Sequence, residues 1–223
     1  MSKQTKKEIL LIGGGKGGVG KSSLSQTIAV YLKQLGKNPL IIDADPQKTS
    51  RDWVEERREN PDLPNIPCIH ATGDIRQDIK DALKSYDYII IDPCGIDPNN
   101  LESKEIRSAL SLATRHLVPL RPKRRDLKTL RQISSIVDTA KIHNPNLICR
   151  AVITQCPSLP NQAYRILEAK EACKSYEISP LSSITMHRNS YDDCDENGCS
   201  VLEYEDEKAK EESIALIKEF LEI

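Results

Sequence analysis

The sequence has no long apolar run, and this absence limits the kinds of protein that it can encode. No stretch approaches the roughly 18 uninterrupted apolar residues that a membrane-spanning helix needs. The N-terminus, MSKQTKKEILLIGG, passes from charged residues directly into a short strand-like run. We therefore expect neither an integral membrane protein nor a secreted one.

Paired cysteines are also absent. The seven cysteines include no C-x-x-C pair, which disfavours structural zinc and iron–sulfur clusters. Cys194 and Cys199 flank acidic residues after His187, but their spacing matches no zinc pattern. A chain of 223 residues does not need disulfides to hold a core. The cysteine usage therefore fits the reducing cytosol.

The sequence carries no excess of one charge, since its formal net charge is −1. No global positive field draws it to nucleic acid, so any such binding requires a local basic patch. It also lacks internal repeats, low-complexity tracts and linkers. With 223 residues, 38% of them hydrophobic, we expect residues 1–223 to form one compact domain.

Short apolar runs alternate with segments of helical period and length. The strand-like runs are 8–13, 39–43, 66–71, 86–92, 116–120, 147–155 and 182–186, and the helical segments are 21–35, 49–59, 75–83, 104–113, 126–142, 160–174 and 205–223. Such alternation is typical of right-handed βαβ units with helices on both faces of a sheet. It predicts an α/β fold, a three-layer α/β/α sandwich around a mainly parallel sheet.

The last segment places Ile214, Ile217 and Leu221 on one helical face, with acidic and basic residues mixed on the other. We interpret it as a terminal helix packed on the sheet, because a helix that lies on a membrane surface would carry a basic polar face.

A glycine-rich segment follows the first apolar run. Gly15-x4-Gly20-Lys21-Ser22 satisfies the Walker A pattern, with a strand before it and a helix after it. Its backbone N–H groups and the helix dipole favour phosphate binding. We expect Lys21 to reach the β- and γ-phosphates of ATP and Ser22 to ligate Mg²⁺. The predicted nucleotide-binding residues of the loop are Gly15, Lys16, Gly17, Gly18, Val19, Gly20, Lys21, Ser22 and Ser23.

Three aspartates end apolar runs. Asp43 and Asp45 close PLIIDADPQ, and Asp92 closes SYDYIIID. The carboxyl ends of parallel strands form the edge at which α/β sheets bind ligands. Asp92 is therefore predicted to be the Walker B residue, which holds Mg²⁺ through water. A single strand-ending Asp is often only a turn former or a helix cap, so the argument depends on the three together with the P-loop.

Lys16 is a second lysine inside the glycine loop, which an ordinary P-loop does not need. KGGVGKSS, IIDADPQ and YDYIIID together resemble the deviant Walker A ATPases of the ParA/MinD superfamily. A looser likeness to the small plasmid-partition ParA proteins extends through AVITQCP and MHRNSYDDCDENGCSVLEYEDEKAKEE. The likeness thus spans nearly the whole chain.

The resemblance implies an ATP-bound homodimer that sandwiches two nucleotides, with Lys16 reaching the phosphates of the partner. It implies that Asp45 positions the attacking water and that Asp43 supports Mg²⁺, so that Lys16, Lys21 and Asp45 are the catalytic residues. Thr154 and Gln155 occupy the region that contacts the adenine edge, and the sequence leaves open which of them does so.

The resemblance further implies a cytoplasmic, nucleoid-associated protein whose ATP-bound dimer binds DNA without sequence preference, with no membrane role. A centromere-binding or adaptor protein would stimulate hydrolysis. Since the first strand begins almost at once, we expect no N-terminal DNA-reading domain and no operator recognition. A conjugation accessory ATPase shares these motifs, and a small-molecule ligase remains a second class. A membrane-cycling regulator would need a basic tail, whereas this chain ends in IKEFLEI.

One segment departs from the family pattern. PLRPKRRDLKTLR concentrates six cations against the single Asp126, and these are Arg121, Lys123, Arg124, Arg125, Lys128 and Arg131. We hypothesise that the cluster, and Arg121 to Lys128 in particular, contacts DNA phosphate or nucleotide phosphate near the dimer interface. The alternative is a solvated basic face, which most charge runs are.

Overall fold

The computed structural model describes residues 7–95 and 103–223. Its strands form one seven-stranded sheet in the order β3-β2-β4-β1-β5-β6-β7. Every neighbouring pair is parallel. The strands are β1 (Glu8–Ile12), β2 (Pro39–Ala44), β3 (Cys68–His70), β4 (Tyr88–Pro93), β5 (Arg115–Leu120), β6 (Ile148–Cys156) and β7 (Ser179–Met186).

Helices connect the strands. In the described ranges they are α1 (Lys21–Gln34), α2 (Thr49–Glu59), α3 (Arg76–Ala82), α4 (Lys104–Leu110), α5 (Arg124–Leu127), α6 (Leu130–His143), α7 (Tyr164–Ser175), α8 (Ser190–Asp193) and α9 (Glu207–Leu221). Short 3₁₀ turns occur at Pro160–Gln162, Glu196–Gly198 and Val201–Glu203.

Two apolar cores lie on opposite faces of the sheet. Ile9 and Leu11 of β1 face a core shared with α3, α4, α6 and α7. Leu10 and Ile12 face a core shared with α1, α2 and α9. Successive side chains of a strand point to opposite faces, so a centrally placed strand that is apolar at each position supplies both cores. The predicted three-layer α/β/α sandwich is confirmed, and the sheet is entirely parallel.

The terminal helix α9 packs on the sheet, as predicted. Leu216, Ile217 and Phe220 are each at most 1% exposed and belong to the core that α9 shares with α1. In the parts of the chain that the structure describes, no helix has the length and apolarity that crossing a membrane requires.

Several predicted boundaries were wrong. The helix expected over 160–174 begins at Tyr164, after a 3₁₀ turn, and the helix expected over 104–113 ends at Leu110. The helix expected over 126–142 is divided into α5 and α6. Between them the backbone N–H of Thr129 bonds to the Asp126 carbonyl three residues back, at 3.0 Å, and the Thr129 hydroxyl donates to the same carbonyl at 2.6 Å. Strand β7 begins at Ser179 rather than at 182. The prediction missed this start because Pro180 lies near it, and proline is unusual inside a strand. β7 is an edge strand of the sheet, and an edge strand tolerates a residue that has no N–H.

A buried arginine of α2 joins that helix to the segment that precedes α9. Arg57 of α2 is 1% exposed, and its guanidinium pairs with both carboxylate oxygens of Glu203 at 2.8 and 2.6 Å. It also donates to the carbonyls of Gly198 and Pro64. A buried guanidinium is stable when it forms a bidentate pair with a carboxylate and its other N–H groups also have acceptors, because these contacts offset the cost of removing its charge from water.

Candidate nucleotide-binding site

The P-loop spans the interval between the end of β1 at Ile12 and the start of α1 at Lys21. Gly20 caps α1 in a left-handed conformation, with φ of 89°, which glycine adopts without steric cost. A Cβ on Gly15 would lie 2.7 Å from the Pro119 carbonyl oxygen, so this position accepts only glycine without movement of β5. These constraints keep the loop tight at the carboxyl edge of the sheet.

The two lysines of the loop occupy different environments. Lys21 is 8% exposed, and its Nζ lies 3.5 Å from the Lys16 carbonyl oxygen, inside the loop. Lys16 is half-buried, and its ammonium makes no hydrogen bond or ion pair with residues 7–95 or 103–223. Lys21 is therefore directed into its own loop, while Lys16 has no anchoring partner in the described part of its own chain.

Asp43 and Asp92 are paired neighbours on β2 and β4, so the two strand ends meet at one edge as the sequence predicts. Asp92 is 1% exposed, and its Oδ2 accepts a 2.7 Å hydrogen bond from the Ser50 hydroxyl of α2. Burial raises the pKa of Asp92 to about 6, while the hydroxyls of Ser50 and Ser22 partly oppose that rise.

The other two aspartates shape the β2–α2 turn. Asp43 accepts backbone N–H bonds from Asp45 at 3.0 Å and from Arg51 at 2.9 Å, one on each oxygen. Burial nonetheless leaves the pKa of Asp43 raised. The Asp45 carboxylate accepts from the Gln47 N–H at 2.9 Å, and its side chain is half-buried at the pocket rim. Asp43 is thus committed to holding the turn that presents Asp45.

The chemistry at Asp92 fits a hard divalent cation. Its Oδ1 is buried and has no hydrogen-bond partner among the described residues. The Ser22 hydroxyl faces the same carboxylate. Mg²⁺ prefers oxygen ligands and completes its shell with waters and nucleotide phosphates, so few protein ligands suffice. Within the described residues no group of three or more His, Cys, Asp or Glu could hold a metal, and this includes the region of Cys194 and Cys199.

Strand β6 supports the P-loop from the other side. The Thr154 hydroxyl, 3% exposed, donates a 2.9 Å hydrogen bond to the Val19 carbonyl. Gln155 adopts a left-handed conformation, with φ of 49°, and its Nε2 donates to the Gly18 carbonyl at 2.8 Å. Both side chains therefore reach the loop, but Thr154 is buried beneath it while Gln155 borders the open phosphate pocket.

His116 was not predicted from the sequence, yet it supports the start of the loop. It is 2% exposed, and its Nε2 donates to the Gly13 carbonyl at 2.8 Å. The Cys149 thiol lies 3.5 Å from Nδ1, a geometry that suits an S–H donating to a neutral imidazole. Burial lowers the pKa of His116 to about 4, so the ring is neutral at physiological pH.

A pocket of about 390 Å³ lies over the P-loop, and residues from five separate parts of the chain line it at one edge of the sheet. Besides the P-loop and Asp45, its lining includes Gln47, Thr49, Cys94, Gly95, Gln155 and Asp192. Gln47 ends the IIDADPQ motif and Asp192 lies in the MHRNSYDDCDENGCSVLEYEDEKAKEE stretch, but neither of them, nor Thr49, was predicted as a site residue, because position in a motif does not show which side chains line a pocket. A second pocket continues from Gln155 and Ser23 to His187 and Arg188 after β7.

The basic cluster is divided by the fold. Arg121 turns inward: its guanidinium pairs with the buried Asp126 at 2.6 Å, and its Nη1 lies 3.8 Å from the place that a Cβ on Gly18 would take. Lys123, Arg124 and Lys128 instead line a groove against α7. Arg131 lines a different groove, between α4 and α6. Arg125 is exposed and lines neither groove.

Comparisons with known proteins show which proteins this chain is similar to. Over 255 aligned residues the chain is 26% identical to the chromosome partitioning protein ParA of Myxococcus xanthus, covering 96% of this chain and 87% of that protein. A shorter match, 32% identical over 88 residues, covers 39% of this chain and 15% of the arsenical pump-driving ATPase of Escherichia coli. An ATP complex of a Cyanothece McdA variant superposes with a TM-score of 0.76 at 16% identity, covering 98% of each chain.

The family model described as the CobQ/CobB/MinD/ParA nucleotide binding domain matches residues 10–200, which contain the P-loop, all three aspartates and the β6 residues beneath the loop. The chain therefore belongs to the CobQ/CobB/MinD/ParA family of nucleotide-binding domains and, within it, to the ParA/MinD superfamily.

Proposed function

We propose that this protein is an ATP-dependent, dimerising switch ATPase of the ParA type that acts in partition or positioning of DNA. The observation that carries the proposal is the contrast between the two loop lysines. Lys21 is buried against its own loop, whereas the Lys16 ammonium has no described partner in its own chain. An ammonium group that lies at a phosphate site and has no partner in its own chain can stabilise the negative charge of a nucleotide bound to a second subunit.

In the proposed site the P-loop N–H groups and Lys21 bind the phosphates of ATP. Ser22 and Asp92 hold Mg²⁺, directly or through water, while Asp43 fixes the turn at this edge. When bound, the metal would neutralise charge on the β- and γ-phosphates. Of the two β6 residues, Gln155 is the better candidate for the nucleobase edge, since the Thr154 hydroxyl is committed to the Val19 carbonyl.

For hydrolysis, Asp45 is placed to orient water, because its half-buried carboxylate borders the phosphate pocket. Lys16 of a second subunit would stabilise the charge that develops on the transferred phosphoryl group, as an arginine finger does. Dimerisation, nucleotide state and hydrolysis are then coupled. The ATP dimer would bind DNA nonspecifically, and a centromere-binding or adaptor protein would stimulate hydrolysis and release it.

The McdA variant that superposes on this chain is an ATP complex, and the Myxococcus relative is named for chromosome partitioning. Both support the proposal. The basic residues Lys123, Arg124, Arg125 and Lys128 are exposed and could meet DNA phosphate. Arg121 is directed towards Gly18, which favours a role near nucleotide phosphate instead.

The test is DNA binding by the purified protein with ATP, ADP or no nucleotide, measured across a salt series. We expect tight binding only with ATP, and a steep loss of affinity as salt rises, because phosphate contacts release counterions. Equal binding by the ATP and ADP forms would contradict a nucleotide switch on DNA. ADP release that depends on a small molecule and not on DNA would favour a ligase.

A further inference from the structure

A groove between α5 and α7 concentrates positive charge in a protein whose net charge is −1. The groove has a volume of about 640 Å³. Four cations and one carboxylate, that of Glu168, line it; the cations are Lys123, Arg124, Lys128 and Arg165. These cations come from two separate elements, so the groove is a product of the fold and not of the α5 sequence alone.

The same groove carries two exposed tyrosines. Tyr164, at the start of α7, is 52% exposed, and Tyr176, just after its end, is 37% exposed. The Arg165 guanidinium lies 6.0 Å from the centre of the Tyr164 ring. At a rise of 1.5 Å per residue, α7 separates the two tyrosines by about 18 Å. Both tyrosines therefore line the basic groove, and the ring of Tyr164 lies beside a guanidinium.

The buried ion pair of Arg121 and Asp126 accounts for the direction of the α5 cations. Asp126 is 1% exposed and accepts both guanidinium contacts, at 2.6 and 3.2 Å. This contact joins α5 to the residue that follows β5, while Lys123, Arg124 and Lys128 line the groove against α7. The groove is thereby held in place by an anchor that lies outside it.

We infer that the α5–α7 groove binds single-stranded DNA, with the cations on its phosphates and the tyrosines stacked on its bases. This inference rests on the proposed association with DNA and specifies where, and in which form, the DNA is held. A basic groove with aromatic side chains is the arrangement that binds single strands without sequence preference. In a duplex the bases stack on one another and do not present their faces to a tyrosine.

The test uses fluorescence anisotropy of the full chain with Mg-ATP and three probes: a labelled 20-mer of oligo-dT, a random-sequence 20-bp duplex, and decaglutamate. Two groove variants are compared. Tyr164→Leu with Tyr176→Leu keeps apolar bulk but removes the aromatic faces, and Lys123→Gln with Arg124→Gln and Lys128→Gln removes charge. The matched control is Lys80→Gln with Lys208→Gln and Lys218→Gln, which removes three exposed cations elsewhere.

The two groove variants should weaken oligo-dT binding in different ways. Loss of both tyrosines should lower the affinity by about 25- to 100-fold, or five- to tenfold for each, while the dependence on salt is unchanged. Loss of three cations should lower the slope of log affinity against log salt by about 2. The control variant should bind as the wild type does. All variants should retain Mg-ATP binding, since none of these residues borders the phosphate pocket.

The inference is overturned if the tyrosine variant binds oligo-dT as the wild type does, or if decaglutamate binds the groove as tightly as oligo-dT. Tighter binding of the duplex than of oligo-dT would also overturn it. In those cases ATP-dependent duplex binding can still be intact, and the proposed function then stands. If oligo-dT binding depends on the groove but is the same with ATP and ADP, the inference about the groove stands and the ATP-dependent switch of the proposed function is contradicted.

Discussion

Individual residues at the phosphate site have separate tasks, and the two P-loop lysines illustrate this most clearly. Lys21 begins α1 and is buried, so its ammonium is held where phosphates would lie. Lys16 is in the same loop but half-buried, and it has no described partner. Replacement of either lysine removes one positive charge, yet the two losses should affect different steps.

For Lys16→Ala we expect ATP binding to be largely retained, while ATP-dependent dimerisation weakens and hydrolysis slows by roughly three orders of magnitude or more. The physical reason is that a cation acting across an interface stabilises the dimer and its transition state, not the bound monomer. Light scattering with ATP and steady-state ATPase assays measure these effects. Lys21→Ala is the contrast and should lose nucleotide binding as well. Loss of all ATP binding in Lys16→Ala would mean that Lys16 acts within its own chain.

His116 supplies a prediction about pH. The folded state keeps this ring neutral down to about pH 4, whereas the unfolded chain protonates it near 6.5. The contribution of His116 to the free energy of unfolding should therefore fall as the pH drops from 6.5 to 4, by roughly 3 kcal/mol in total. Asp92, whose pKa is raised to about 6, acts in the opposite direction over much of this range. The wild-type curve alone thus mixes the two effects.

Comparison with His116→Gln separates them, because the glutamine amide can still donate to the Gly13 carbonyl but does not titrate. Urea unfolding at several pH values should show the wild type losing its advantage over the variant as the pH falls from 6.5 to 4. A difference in stability that is independent of pH would contradict the assignment of a neutral, buried imidazole.

At the level of elements, contacts distant in sequence hold the site together. β6 supports the P-loop through Thr154 and Gln155, and β5 does so through His116. α2 contributes Ser50 to Asp92, and through Arg57 it anchors the segment that precedes α9. Because α2 contacts both Asp92 and the segment before α9, the position of Asp92 depends on how well that segment is packed.

We expect Glu203→Ala to destabilise the fold by about 3–5 kcal/mol, because it leaves the buried guanidinium of Arg57 without its counter-ion. The matched control is Glu171→Ala, which removes an exposed pair with Lys174 whose side chains are 69% and 58% exposed. An exposed pair of this kind contributes at most about 1 kcal/mol. Thermal and urea unfolding of both variants give the comparison. Equal losses in the two would show that the Arg57 contact contributes no more than a surface pair.

Across the complete domain, the site lies where the loops after β1, β2 and β4, the end of β6 and the α8 residue Asp192 converge on one edge of the sheet. Ligand binding at such a junction should stabilise the entire fold. At an Mg-ATP concentration of 100 times Kd the gain is about 2.7 kcal/mol. For a domain of this size that is a rise in Tm of roughly 5–10 °C.

Differential scanning fluorimetry with ATP, with and without Mg²⁺, measures this rise. We expect EDTA to reduce it, because the nucleotide then lacks the cation that Ser22 and Asp92 are suited to hold. The Lys21→Ala variant should show little change with Mg-ATP. An unchanged Tm of the wild type at millimolar Mg-ATP would argue against the nucleotide site itself.

The fold class and the phosphate loop were predictable from the order of residues alone. β1 and β4 each contain consecutive apolar residues, which is typical of strands buried on both faces, and the P-loop glycines lie together in the chain. Local backbone geometry and periodic burial depend on near neighbours, so the sequence displays them directly. The pairing of Asp43 with Asp92 was also foreseeable, because parallel strands that alternate with helices end at one edge.

The side chains that support that loop, and the division of the basic cluster, depend instead on the folded arrangement of distant elements. Ser50 and Asp92 are 42 positions apart, and His116 and Gly13 are 103 apart, so no local pattern joins them. The cations of the basic cluster lie close together in the sequence but face different parts of the fold. Arg121 faces the P-loop, the cations around α5 face α7, and Arg131, which follows the break between α5 and α6, lines the α4–α6 groove. Long-range packing fixes these directions, because each depends on which distant element occupies the neighbouring space.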